Sequence, residues 1–163
     1  MRASLNLTIV TLVLLASCSR ESRELELNNP GFGVMATTID AQAEGVDLPI
    51  HIKSDEVIKG IQYTMVWDPS VGQVMQPQLT EANSDFTISS TDGLGGKMKV
   101  LIFSMTGVEL NMEESSIMNI PVRILDPEAT DFTIIFEDVI FAGPNASSYS
   151  IPISHANLEI IRK

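Results

Sequence analysis

His51 and His155 are the only imidazoles among 163 residues. Acid–base or nucleophilic catalysis would need one of them beside a nucleophile, a carboxylate or a metal. His51 alternates with Ile50 and Ile52, which places it on the wet side of a strand. No Gly-x-Ser-x-Gly elbow is present, and no His/Cys cluster has zinc spacing. Carboxylates form two adjacent pairs, Glu113-Glu114 and Glu137-Asp138. Calcium takes roughly six to eight oxygen ligands. Neighbours in a regular strand point to opposite faces, so Glu137 and Asp138 are not expected to ligate together. Asp68 is expected to cap its own turn ahead of Pro69. "DGLGG" at 92–96 is followed by no helix, so it is a hairpin turn rather than a phosphate loop. Tyr63 and Trp67 could stack on sugars, but they share a phase with Ile61 and Met65, which assigns them to a core. Tyr149, in the 142–151 loop, is the aromatic expected to be exposed. Asn145-Ala146-Ser147 is a formal glycosylation sequon and reads here as a turn. No catalytic residue, metal or cofactor is expected, and the protein is not expected to be an enzyme.

The chemistry that can be assigned belongs to Cys18, the sole cysteine. Met1-Arg2 is a short basic start and Leu5 to Leu15 an apolar run. Leu15-Ala16-Ser17-Cys18 resembles the lipobox of bacterial lipoproteins, in which a small residue precedes a cysteine that takes lipid and becomes the mature N-terminus. Eleven residues at ~1.5 Å each span about half of a ~30 Å hydrocarbon layer, so residues 1–17 read as a signal peptide rather than a membrane-spanning helix. After cleavage no other cysteine remains, and stability must come from packing rather than disulfides. A diacyl or triacyl group supplies the more than one chain that stable anchoring requires. Residues 18–30, the lipidated Cys18 and "SRESRELELNNP", form a solvated tether. Ser19 in place of an Asp after the cysteine favours an outer-membrane destination. The net charge of −11 and pI of about 4.4 argue against nucleic acid, whose phosphates demand a basic face.

From Gly33 onward the hydrophobic period is two. Val46 to Lys53 alternates through Leu48, Ile50 and Ile52. After Gly60, Ile61, Tyr63, Met65 and Trp67 share one side and Gln62, Thr64 and Val66 the other, until Asp68-Pro69 stops the pattern. "KMKVLIFS" at 97–104 is rich in strand formers. Met118, Ile120, Val122 and Ile124 alternate, as do Phe132, Ile134 and Phe136, then Val139 and Phe141, and finally Leu158 and Ile160. Turn residues separate these runs at Asp68-Pro69, 91–96, Asp126-Pro127 and 142–148. No segment after residue 20 sustains a long amphipathic helix. About nine strands of this kind predict an all-β, antiparallel jelly-roll β-sandwich over residues 31–163, one face of each sheet being wet. Pro49 and Pro121 fall inside strands and predict edge positions or bulges there.

The order of these segments resembles cohesin domains over about residues 33–161. "IKGIQYTMVWDPSV" is similar to their third strand with its aromatic-Asp-Pro turn. "AQAEGVDLPIHIKS", "ESSIMNIPVRIL" and the closing "TIIFEDVIFAGPNASSYSIPISHANLEI" follow in matching order. The resemblance implies a binding module whose partner is a dockerin, a calcium-bearing helical module held on a flat sheet face. The contact residues it implies are Gln62, Thr64 and Val66, with neighbours within 97–104 and 131–137. Where the best-known type carries Asn and Asp, this chain has Gly60 and Gln62, so that hydrogen-bonding pattern does not carry over. Related sandwiches bind polysaccharide, and an envelope lipoprotein can also use such a domain for assembly. These are the alternative readings, in a protein held to the membrane by its lipid.

Overall fold

The computed structural model describes residues 31–112 and 116–162. The signal peptide, Cys18, the tether and the Glu113-Glu114 pair lie outside the described residues. In chain order the strands are β1 (Gly31–Val34), β2 (Thr38–Asp40), β3 (Val46–Lys53), β4 (Gly60–Val66), β5 (Gly72–Val74), β6 (Gln78–Leu79) and β7 (Phe86–Ser90). They continue with β8 (Lys97–Ser104), β9 (Met118–Ile124), β10 (Asp131–Ala142), β11 (Ser148–Tyr149), β12 (Ile153–Ser154) and β13 (Ala156–Ile161). Two curled sheets form a jelly-roll sandwich. One runs β12-β1-β3-β9-β5 with β6 also on β9; the other runs β2-β13-β10-β4-β8-β7 with β11 also on β10.

Alternation decides which side chains meet between the sheets. Leu48, Ile50 and Ile52 from β3 and Met118, Ile120 and Val122 from β9 face Tyr63 and Met65 from β4, Val100 and Ile102 from β8 and Ile134 and Phe136 from β10, all of them buried. Phe32 of the first sheet is the central contact. Its ring centroid lies 5.5 Å from Tyr63, 5.4 Å from Phe136 and 5.5 Å from Phe141, all in tilted or edge-on geometry. Among the described residues the buried hydrophobic side chains run from Phe32 to Ile160 and form one continuous core.

Three expectations need correction. The sheets are not wholly antiparallel, because β1 pairs with β12 and β2 with β13 in parallel at the sheet margins. Pro49 and Pro121 are not on edge strands; β3 and β9 are interior and pair with each other. Each proline instead sits at a local gap in the ladder. Pro49 is one residue past the end of the β1 pairing at Ile50. Pro121 lies between β5, paired through Val74, and β6, which starts at Gln78, and its carbonyl accepts the Met75 N–H. A missing N–H costs little at such a gap. Finally, the run from Phe132 to Phe141 is one strand with a bulge between Glu137 and Ile140. Asp138 takes φ 51° there, and the extra residue keeps Ile140 on the outside and Phe141 in the core.

The "DGLGG" segment joins β7 to β8 as the expected hairpin connection. Gly96 has φ 75°, and a Cβ there would stand 2.3 Å from the Trp67 carbonyl oxygen. The Gly96 carbonyl in turn accepts the Trp67 N–H at 2.9 Å. This turn therefore fixes where β4 ends and where the Trp67 indole lies.

Candidate functional site

Residues paired across a ladder share a face, so the outer surface of the second sheet can be read in rows from β8 through β4 to β10. The rows are Phe103-Gly60-Ala142, Leu101-Gln62-Ile140, Lys99-Thr64-Glu137 and Lys97-Val66-Ile135. Thr87 and Ser89 of β7 extend the first two. Leu101, Ile140 and Ile135 are 41%, 47% and 40% exposed. Large apolar side chains at that exposure on a sheet already paired on both sides of β4 form a patch that the fold itself does not use. Around the first two rows lies an apolar depression of about 280 Å³, bordered by Lys59 and by Leu101, Phe103, Ile140 and Ala142, with Gly60 at its base.

The three contact residues expected from the sequence all lie on this face, but not equally. Gln62 and Val66 are half-buried, whereas Thr64 is only 4% exposed. This corrects the expectation that Thr64 is an accessible contact. The cause is local: Lys97, opposite Val66, reaches Glu137, opposite Thr64, with 3.9 Å between Nζ and Oε2. That ion pair crosses β4 diagonally and roofs the short threonine. An exposed pair of this kind is worth about 0–1 kcal/mol, so it covers Thr64 without locking the surface.

The expected neighbours, 97–104 and 131–137, are brought beside β4 as β8 and β10. Sequence reasoning missed Leu101, Phe103 and Ile140 as individual contacts. Leu101 and Phe103 were legible as apolar residues in the outward phase of "KMKVLIFS", where Lys97 and Lys99 mark that phase. Ile140 was legible too, as the residue between Val139 and Phe141 in their shared phase, but the bulge that shifts the phase after Phe136 and sets Ile140 opposite Gln62 was not.

The remaining candidates fall into structural roles. Tyr63 is fully buried, its hydroxyl donates to the Met118 Sδ at 3.1 Å, and burial pushes its phenol well up from the ordinary value. Trp67 is buried as well. Tyr149 is half-buried rather than exposed, because its ring lies over Gly143 and its hydroxyl accepts from Ser147 Oγ at 3.2 Å. None of the three is an exposed aromatic. Asp68 Oδ1 accepts from the Ser70 hydroxyl at 2.6 Å and the Ser70 N–H at 2.8 Å, the expected turn cap, and these bonds hold its carboxyl below the usual range. His51 is half-buried on the outer side of the first sheet, and burial lowers its pKa. His155 is exposed, and its Nδ1 accepts the Phe136 N–H at 3.1 Å, extending the ladder one residue before β13 begins. Asn145 and Ala146 form the expected turn, with φ of 55° and 60°. Glu137 and Asp138 are both exposed, contrary to strict alternation, because the bulge turns Asp138 outward. Among the described residues, no three His, Cys, Asp or Glu side chains stand close enough to share a metal ion. No described helix is long and apolar enough to cross a membrane.

No protein-family profile and no curated protein matches this sequence. Solved structures do match. A cohesin module from a family 33 glycoside hydrolase of Clostridium perfringens superposes with a TM-score of 0.67 at 11% identity, over 83% of this chain and 97% of that one. A non-cellulosomal cohesin from the archaeon Archaeoglobus fulgidus gives 0.65 at 12%, over 82% and 91%. A cohesin in a type I cohesin–dockerin complex from Clostridium thermocellum gives 0.66 at 14%, over 82% and 94%. Identities this low speak to the fold, and residues 31–162 carry a cohesin-like domain.

Proposed function

We propose that this protein is a non-catalytic binding module, lipid-anchored through Cys18 in a bacterial envelope, that captures a protein partner on the outer face of the β7-β8-β4-β10 sheet. The observation that carries this reading is the row structure of that face: exposed Leu101 and Ile140 around a depression and exposed Ile135 two rows further along, on strands fixed by pairing on both sides. A rigid sheet loses little entropy on docking, and apolar contacts at Leu101, Ile140 and Ile135 interspersed with polar side chains suit a partner surface of about 800 Å². Several of the similar structures hold a cohesin bound to a dockerin, which supports a dockerin-like module as the partner here. Gly60 and Gln62 stand where the best-known type carries an Asn and an Asp, so apolar contact takes a larger share of the recognition. An outer-membrane location follows from the same reading of residues 1–19.

The test is capture from the native secreted proteins with immobilised residues 31–163, with and without a calcium chelator. A dockerin-bearing protein retained, and released on chelation, is the expected result. Binding to a glycan array with no protein captured would replace this reading with that of a carbohydrate module.

A further inference from the structure

A second recess of about 270 Å³ lies at the opposite end of the same sheet face, where β4 runs into its turn and β10 begins. Its floor and walls are apolar: Trp67 and Phe132 are buried beneath it, and Val66, Val71 and Ile135 stand around it. Only two lining side chains are charged, Asp68 and Asp131, and both are exposed carboxylates at the mouth. Neither is in an ion pair, although Lys97 stands opposite Val66 on the same row; Asp131 Oδ2 accepts only from the Thr130 hydroxyl, at 3.0 Å. Among the described residues the sole ion pair is the Lys97–Glu137 bridge. Asp131 also stands directly opposite Glu159 in the β10–β13 ladder, an arrangement of like charges that costs stability. Beside the recess, Asp131 and Thr133 continue into a shallow hollow that includes Glu159.

A largely apolar recess with carboxylates at its rim is complementary to one kind of side chain. A methylene stem lies in the recess and a cationic head stays at the wet rim. Resting on the proposed protein-binding role of this face, we infer that the recess receives a lysine or arginine side chain of the partner. The partner surface then pairs an apolar group, seated by Leu101 and Ile140, with a basic group seated over Trp67. With the apolar group seated by Leu101 and Ile140 at one end and the basic group over Trp67 at the other, this arrangement also sets the direction in which the partner lies along β4.

Trp67 is the only tryptophan in the chain, so its emission reports on the side chain beneath this recess with no contribution from another indole. The full-length chain is titrated with N-acetyl-lysine amide, with N-acetyl-norleucine amide, which has an uncharged side chain of similar length, and with N-acetyl-glutamate amide. The expected result is a lysine response about three- to tenfold tighter than that of norleucine, the size that two exposed carboxylates supply, and none with glutamate. The preference falls toward parity in Asp68→Asn and Asp131→Asn, and at high salt. Asparagine keeps the oxygen that accepts from Ser70, so the turn survives in the first variant. Equal responses to lysine and norleucine, no response to lysine, or a preference indifferent to both substitutions would overturn the inference. Partner capture that persists in the absence of a lysine preference removes this inference alone. Capture that ignores substitutions across the whole face removes the binding reading beneath it.

Discussion

Tyr63 shows how far a single position can be read. Its phase with Ile61, Met65 and Trp67 assigns it to the core, and the structure places it there, but its bond to Met118 was invisible because nothing in the sequence sets which residue of β9 meets β4 across the sandwich. A phenol buried this way stays neutral in the folded state, and its pKa is raised by burial. A raised pKa means that the stability linked to the group is complete below the unfolded value of about 10 and is lost as pH rises above it. Wild type should therefore lose stability faster than Tyr63→Phe above about pH 10, as measured by denaturant midpoints across pH. Asp138 is the converse case. Its left-handed φ is set by the bulge, not by its own preference. Asp138→Val should cost more than about 1 kcal/mol, since a β-branched residue is strained there, while Asp138→Gly should be neutral or stabilising. Thermal melts of the two variants compare these directly.

At the scale of strands, long alternating runs were legible and short ones were not. β3, β4, β9 and β13 follow from period, because each buries one face against the opposite sheet, and β8 from its richness in strand formers. β2, β5, β6, β11 and β12 have only two or three residues, too few to show a period, and they exist because neighbouring strands offer them ladder partners. The parallel pairings of β1 with β12 and β2 with β13 depend on long-range closure that no local pattern encodes. The candidate face was half legible for the same reason: β4 announced its outward phase, but the bulge in β10 decides what stands beside it. Packing across the sandwich converges on Phe32, which touches Tyr63, Phe136 and Phe141. Phe32→Ala should cost about 3–5 kcal/mol, the range for truncating a buried phenylalanine, whereas truncating exposed Ile153 should change stability by less than about 0.5 kcal/mol. Chemical denaturation of both variants checks the contrast.

For the whole molecule, the account joins an anchor, a tether and a rigid sandwich that presents one sheet to the outside. The anchor is tested separately. Cys18→Ala should release the chain from the membrane fraction and abolish lipid labelling, and persistent labelling would contradict the lipobox reading. The central claim is the use of the β7-β8-β4-β10 face, and it is tested most directly by measuring the affinity of a captured partner for Leu101→Glu and Ile140→Glu. The control is Asn119→Glu on the outer side of the other sheet. The account predicts that each face substitution weakens binding at least about tenfold, the scale of a central contact in an interface, with melting temperatures unchanged and the control at wild-type affinity. Wild-type affinity in both face variants, with loss in the control, would contradict it.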